Sequence, residues 1–280
     1  MSRKSPVGLT THQKEFVKLI RANTAGRYRL HDVFRDFCEM AALSISNAVD
    51  RSQYAGREAR FLEIEKRYTP EERERFQRML AELVMCLEEG FSDCLGALFM
   101  ALELGDDWKG QYFTPYEVSR LMAGISAGDL KEKISGHGFV TVNEPACGAG
   151  GMVIAFADEL RSQGLNHSEA MHAVSIDIDP TAVHMAYVQL SLLGIPAIVV
   201  HGDALWPAEK TWAHWVTPIH VLGRWDERLA MRERFEAMRA LLAGGYTPAQ
   251  DGETSAPPAV PSRSELVVQR LTADQQMALF

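Results

Sequence analysis

The chain has 280 residues, 46% of them hydrophobic, and a formal net charge of -8 at pH 7. This supports one substantial core plus a smaller second unit and excludes a polycationic protein. The sequence contains no apolar run of membrane-spanning length and no signal-peptide segment, so we expect a cytoplasmic protein. Its four cysteines are dispersed, which argues against a zinc site and a disulfide framework.

The first 30 residues form a basic arm with seven basic residues and one acidic residue, whereas residues 31–110 hold ten basic and seventeen acidic residues. Such an arm suits contact with nucleic-acid phosphates, which salt would weaken steeply. The alternative is a solubilising, partly disordered terminus.

The N-terminal third shows helical periodicity. Between residues 10 and 104 the apolar residues recur every three or four positions, and strand signals are absent. Thr69 and Pro70, followed by two glutamates, are typical of an N-cap, a proline at the first helical position and first-turn acids. We predict an all-α domain over residues 1–109.

Near Gly110 the pattern changes to alternating strands and helices. Strand-like segments at 139–143, 173–177 and 197–200 alternate with helical segments at 152–162 and 181–193. This alternation predicts a parallel sheet, and therefore an α/β, Rossmann-like domain over residues 110–243. A further helical stretch is expected at about 227–242.

A glycine-rich turn follows the first predicted strand, where residues 144–152 read E-P-A-C-G-A-G-G-M. A strand, such a turn and a helix together present backbone N–H groups to nucleotide-like ligands. Asp177 ends the second strand and can accept both hydroxyls of a ribose, and Asp203 follows the third and can accept from an adenine amino group. Asp179 is expected to cap the helix that begins at Pro180.

These motifs resemble those of the N6-adenine DNA methyltransferase family, notably the modification subunits of type I restriction systems, where D-P-A-C-G-T-G-G is usual. Residues 110–115, G-Q-Y-F-T-P, match the G-Q-F-F-T-P that precedes the loop in that family. The resemblance implies a methyltransferase fold, S-adenosylmethionine (SAM) as cofactor and contact of residues 110–115 with its methionine end. The implied cofactor-binding residues are Gln111, Tyr112, Phe113, Thr114, Pro115, Glu144, Ala146, Gly148, Gly150, Gly151, Met152, Asp177, Ile178, Asp203 and Ala204. A Rossmann-like fold that has lost its ligand is the alternative, and an NAD site fits the loop less well.

The acceptor motif of that family is missing. Adenine-N6 enzymes carry N-P-P-Y or D-P-P-Y after the fourth strand, where polar groups accept the amine hydrogens and the aromatic ring stacks on the flipped base. At the expected place, residues 215–221 read W-V-T-P-I-H-V. Thr217 stands where the motif has asparagine or aspartate, and Ile219 stands where it has the second proline. Pro257 and Pro258 lie in the tail and cannot serve. The sequence therefore predicts an incomplete sheet, a cofactor half-site and no assignable catalytic residue.

Four tryptophans, Trp206, Trp212, Trp215 and Trp225, fall within twenty residues. They form either a base-stacking platform or the cover of a sheet edge or subunit interface.

Residues 244–280 have the composition of a disordered tether. The last five, Q-M-A-L-F, resemble the bacterial sliding-clamp-binding peptide, with Gln276, Met277, Leu279 and Phe280 as the implied contacts. The alternative is an amphipathic helix over residues 266–280 that packs on the chain's own core.

Two functional hypotheses follow. The first is a SAM-binding protein of the N6-adenine family that acts on or at DNA. The second is a catalytically inactive DNA-binding or partner-binding module, such as an accessory or anti-restriction factor, recruited through residues 276–280. Whether the chain is an enzyme stays open, and the expected partners are DNA, the clamp, and either a second copy or a catalytic partner subunit, without a membrane.

Overall fold

The computed structural model describes residues 8–24, 26–104, 113–136, 138–206, 209–243 and 277–278. Its first part is helical, as predicted. The helices are α1 (Thr11–Thr24), α2 (Leu30–Val49), α3 (Tyr54–Glu65), α4 (Pro70–Glu88) and α5 (Cys94–Ala101), with a 3-10 turn at Arg51–Gln53. Helix α4 begins with a capping box, in which Thr69 Oγ1 accepts from the Glu72 N–H and the Glu72 carboxylate accepts from the Thr69 N–H at 2.8 Å. Much of the basic arm is thus a folded helix that packs on α4.

The second part alternates helices and strands. In chain order the elements are α6 (Tyr116–Ala127), α7 (Leu130–Ser135), β1 (Val140–Glu144), α8 (Gly151–Ser162), α9 (His167–Ala170), β2 (Met171–Asp177), α10 (Pro180–Leu192), β3 (Ala197–Gly202), β4 (Thr211–Val216), α11 (Pro218–Leu222), α12 (Trp225–Ala243) and β5 (Met277–Ala278). The three predicted strands and their two connecting helices are confirmed to within two residues.

The sheet has the strand order β4-β3-β2-β1-β5. Strands β1, β2 and β3 are parallel, in the order of the first half of a doubly wound fold, so the predicted fold class is confirmed. The sequence analysis did not predict β4, which runs antiparallel along the outer edge of β3 with a register irregularity at His201 and Gly202. This strand satisfies the backbone groups that the β3 edge would otherwise leave unpaired.

One hydrophobic core runs through both parts of the chain. It joins residues such as Phe34 and Leu98 of the first part to Phe156 and Tyr187 of the second. Helix α10 lies at its centre, between the N-terminal helices α2 and α5 on one side and strands β2 and β3 on the other, and every residue from 181 to 190 is buried. A helix that is buried all round needs neighbours on every side.

Arg57 of α3 also joins the two parts. Its Nη2 donates to the backbone oxygen of His214 at 2.7 Å, and its guanidinium lies 4.1 Å from the ring centroid of Trp215. Asp50 pairs with the same guanidinium at 3.2 Å. The buried charge is therefore compensated, and β4 is fixed to the helical part.

The tryptophan cluster divides into two pairs. Trp215 and Trp225 are buried, and the Trp225 ring packs against Phe139. Trp206 and Trp212 are 56% and 53% exposed. Covering a sheet edge therefore accounts for Trp215 of β4, whereas base stacking stays a hypothesis for Trp206 and Trp212 alone.

The predicted disordered tail lies outside the described residues, except for β5. Val142 and Asn143 of β1 pair in parallel with Met277 and Ala278. Those two residues therefore form a strand, which is neither the free peptide nor the helix that the sequence analysis weighed. The free outer edge of β1 offers the backbone partners for this pairing.

Helix α12 presents an apolar stripe to solvent. Met231, Phe235, Met238 and Leu242 recur at intervals of four, three and four residues and are all exposed. Across the described part of the chain, no helix combines the length and apolar character that crossing a bilayer requires.

Candidate cofactor-binding site

The glycine loop between β1 and α8 has the tight geometry that its sequence requires. Gly148 and Gly150 have φ of +52° and +91°, values that side chains disfavour. The Cys147 N–H donates to the backbone oxygen of Ile176 at 2.8 Å, and the Gly150 N–H donates to that of Cys147 at 2.7 Å. The loop is therefore held against the end of β2.

The loop forms one wall of a cleft of about 380 Å³. Six predicted site residues line this cleft: Phe113, Thr114, Ala146, Gly148, Gly151 and Met152. The Phe113 ring covers Gly148 so closely that a Cβ atom there would lie 2.8 Å from Phe113 Cδ1. The same ring contacts Phe99 of α5, at 5.0 Å between ring centroids.

Asp177 fixes the position of the loop. Its Oδ2 accepts from the Gly148 N–H at 2.8 Å, and its Oδ1 accepts from the Asp179 N–H at 2.9 Å. Burial raises the pKa of Asp177. A carboxylate has about four acceptor positions, so both oxygens can still accept from a ligand's hydroxyls. Asp179 caps α10 as predicted, because its carboxylate accepts from the Thr181 N–H at 2.8 Å.

Glu144, at the end of β1, is a fully buried carboxyl group beside the loop. Its Oε1 accepts from the Ala146 N–H at 3.2 Å, while no described residue contacts Oε2 with a hydrogen bond. Burial raises the pKa of Glu144 to about 7, and the charge of Asp177 contributes to this rise. Glu144 is therefore largely protonated below neutral pH.

The remaining predicted residues lie away from the cleft lining. Asp203 pairs with Lys210 Nζ at 3.0 Å and accepts from the Leu205 N–H at 3.1 Å, and the hydrogen bond with Lys210 lowers its pKa. Ala204 packs on a small cluster around Ile176, and the Ile178 side chain is exposed. Other positions outside the lining are Glu144, Asp177, Pro115, which precedes α6, and Gly150, which packs against Ala186. Gln111 and Tyr112 lie outside the described residues.

Two polar residues of the cleft were missed by the sequence analysis. Asp93 caps α5, with its Oδ1 accepting from the Gly96 N–H at 2.8 Å, and its side chain lines the cleft. Ser119 of α6 also lines the cleft, and its buried Oγ contacts no described hydrogen-bond partner. For Asp93 the available signal was the pair Ser92-Asp93 before an apolar run, a pattern that is typical of a helix start.

The segment 215–221 does not lie where the acceptor motif would be. In doubly wound sheets the fourth strand lies beside the first, whereas β4 lies beside β3 and β5 takes the place beside β1. The buried Thr217 hydroxyl donates to the backbone oxygen of Ile195 at 2.9 Å and accepts from the Ala197 N–H at 2.9 Å. The expectation that residues 215–221 occupy the place of the acceptor motif was wrong, because the chain turns back along the β3 edge of the sheet.

Comparison with known proteins finds one family model that covers the segment with the glycine loop. Residues 100–227 match the family model of the N-6 DNA methylases. No curated protein matches the chain. A solved structure from Listeria monocytogenes, described as a class I S-adenosylmethionine-dependent methyltransferase, is similar at 16% identity and a TM-score of 0.36, over 68% of this chain. The chain spans only 53% of that structure. Residues 100–227 are thus the part of the chain that is similar to the N-6 DNA methylases.

Proposed function

We propose that the chain is a SAM-binding methyltransferase of the N-6 DNA methylase family that acts on or at DNA in the cytoplasm. The observation that carries this proposal is the cleft over the glycine loop, where the lack of side chains at Gly148 and Gly151 lets Phe113 and Asp93 lie close to the loop backbone. Glu144 and Asp177 place acidic groups at the ends of β1 and β2, and the Ser119 hydroxyl has no described hydrogen-bond partner. These groups suit a ligand that carries hydroxyls and a positive charge.

Each residue has a distinct part in this proposal. Backbone groups of Gly148 and Gly151 approach the cofactor, and Asp177 accepts its ribose hydroxyls. Phe113 and Thr114 contact its methionine end, and by resemblance Gln111, Tyr112 and Pro115 extend that contact. Asp203 accepts from the adenine amino group. Its carboxylate must then accept from Lys210 and from the adenine at the same time. When bound, SAM supplies an activated methyl group for direct transfer to a nucleophilic nitrogen.

The acceptor side of the reaction is proposed to come from a catalytic partner subunit. Among the described residues, those on the outer edge of β1 are Met277 and Ala278, and no N-P-P-Y motif occurs in the sequence. The exposed apolar stripe of α12 supports a protein partner. The alternative is an inactive accessory module that retains the cofactor as a ligand.

The basic arm is the proposed DNA contact. Lys14 and Lys18 of α1 are exposed, although Lys18 also lies 3.2 Å from Glu15. We expect DNA affinity to fall as salt rises and to fall further in the double variant Lys14→Gln/Lys18→Gln, with Lys131→Gln as control. DNA affinity that does not depend on salt would contradict this role.

Recruitment by a sliding clamp is proposed for residues 276–280. Pairing of Met277 and Ala278 with β1 uses the same backbone, so clamp binding requires release of that pairing. Deleting residues 276–280 should abolish co-elution with a bacterial clamp and leave the SAM affinity unchanged. Retained co-elution would contradict the assignment.

The central test combines calorimetry with methyl transfer. We expect the wild type to bind SAM and Asp177→Asn to bind it at least about tenfold more weakly, since a charge-assisted hydrogen bond contributes about 1.5–3 kcal/mol. Asp129→Asn is the matched control, because Asp129 only caps α7. The second assay measures transfer of labelled methyl to unmethylated bacterial DNA, scored as N6-methyladenine. If the chain is shown to be monomeric and still transfers methyl, the result would contradict the need for a partner. Absence of SAM binding by the wild type would contradict the function itself.

A further inference from the structure

Asp93 lies in the helical part of the chain, outside the matched segment 100–227, yet it forms a wall of the cleft. It is 7% exposed, and its Oδ2 would lie 3.2 Å from a Cβ atom placed on Gly151. The carboxylate is therefore next to the first residue of α8, where the glycine loop ends.

The two oxygens of Asp93 have different surroundings. Oδ1 accepts from the Gly96 N–H and from Gln189 Nε2, each at 2.8 Å. No described residue donates to Oδ2. Because the Asp93 side chain lines the cleft, Oδ2 is placed to accept a hydrogen bond from a ligand that supplies a donor there.

The other residues of the cleft lining narrow the chemistry of that ligand. The lining also contains the buried Ser119 hydroxyl, which has no described hydrogen-bond partner. Among the described residues of the lining, Asp93 is the one charged residue. None of the described lining residues is a lysine, arginine or histidine that would compensate the carboxylate. The geometry thus favours a cationic group that carries hydrogen-bond donors.

We infer that Asp93 Oδ2 binds the ammonium group at the amino-acid end of SAM, with the Ser119 hydroxyl as a neighbouring polar contact. This inference rests on the proposed cofactor. An ammonium fits better than the sulfonium of the same molecule, because the sulfonium has no hydrogen to donate. The helical part of the chain thereby contributes directly to cofactor recognition.

Gln189 gives this contact a fixed geometry. Its Nε2 donates both to Asp93 Oδ1 and to the backbone oxygen of Ala149, at 2.8 Å each. One side chain therefore holds the carboxylate and the glycine loop in register, so that the Asp93 side chain and the loop backbone form one binding surface.

The test compares two ligands that differ only in the ammonium group: S-adenosylhomocysteine and its deaminated analogue. We expect the wild type to bind S-adenosylhomocysteine about ten- to a hundredfold more tightly, as for hydrogen bonds between charged groups. Asp93→Asn and Asp93→Ser both retain a helix-capping side chain. In each variant the preference should fall to within about threefold while the affinity for the deaminated analogue is unchanged.

The outcomes separate the inference from the proposed function. Variants that keep the wild-type preference would overturn the role of Asp93. An equal loss of affinity for both ligands would also overturn it, because that pattern indicates a structural effect alone, which thermal unfolding of the same samples would report. A wild type that binds neither ligand contradicts the proposed cofactor, and this inference with it.

Discussion

The buried side chain of Gln189 in α10 donates to Asp93 Oδ1 across 96 positions of sequence, at 2.8 Å. The same amide nitrogen donates to the Ala149 oxygen, and its Oε1 accepts from the Leu95 N–H at 2.9 Å. One neutral side chain thus links the first turn of α5, the acidic wall of the cleft and the glycine loop. Because the Gln189 amide uses its nitrogen and its oxygen in these contacts, the network holds the three segments in one arrangement.

Replacing Gln189 with leucine should therefore destabilise the protein strongly. The change preserves the approximate volume but removes one of the two donors to Asp93 and the Gln189 contacts of the Leu95 N–H and the Ala149 oxygen. We expect the free energy of unfolding to fall by about 3 kcal/mol. Urea unfolding measures this. Gln77→Leu, at an exposed position of α4, should change it by less than about 0.5 kcal/mol. A comparable loss in both variants would contradict the network.

Gly148→Ala should disturb the cleft more than it disturbs the fold. A left-handed conformation costs a non-glycine residue about 1–2 kcal/mol, and the added methyl also displaces the Phe113 ring. Gly164→Ala is the matched control, since Gly164 has φ of +75° and open space around it. We expect similar losses of stability but, for Gly148→Ala alone, an affinity for SAM at least about tenfold lower. Equal SAM affinity in the two variants would show that Phe113 does not define the site.

Glu144 should make stability depend on pH. Burial raises the pKa of the Glu144 carboxyl from 4.5 to about 7 in the folded protein, so the folded state binds this proton more tightly than the unfolded state does. The resulting stability is fully present below pH 4.5 and is lost as the pH rises through about 7. Glu144→Gln, which keeps an acceptor for the Ala146 N–H, should remove this dependence. Relative to wild type the variant should gain on the order of 3 kcal/mol between pH 4.5 and 8 in denaturant unfolding. A constant difference over this range would refute the assignment.

Thr217→Val tests whether the segment after β4 is structural. Loss of the buried hydroxyl leaves the Ile195 oxygen and the Ala197 N–H without that partner, so we expect a loss of about 2 kcal/mol in unfolding free energy and an unchanged SAM affinity. Thr217→Ser keeps the hydroxyl and should lose less than half as much. A loss of stability in Thr217→Ser as large as that in Thr217→Val would contradict the role of the hydroxyl.

The sequence predicted the elements whose signals are local. The period of two around Val142, the glycine-rich turn and the Asp179-Pro180 start of α10 each depend on nearby residues, and they gave strand, loop and helix correctly. Six of the residues that the family motifs indicated lie at the cleft, and their part in binding a cofactor stays a prediction. Phe113 and Gly148 do lie in contact there.

The parts that were missed depend on tertiary contacts. Strand β4 was hidden because pairing with the edge of β3 is decided by the free edge and not by the composition of residues 211–216. Asp93 had the pattern of an ordinary N-cap, and only its packing against Gln189 brings it to the cleft. The pairing of Met277 with Val142 spans nearly half of the chain and has no local signature.

The burial of α10 on all sides determines how this protein can be divided for experiments. Its residues 181–190 contact helices α2 and α5 as well as the sheet. A fragment that begins at residue 100 would expose to water the surface of α10 that those helices cover, and an exposed apolar surface promotes aggregation. The family segment is thus a unit of sequence similarity but not of folding, so expression and mutational work should retain the helices that precede it.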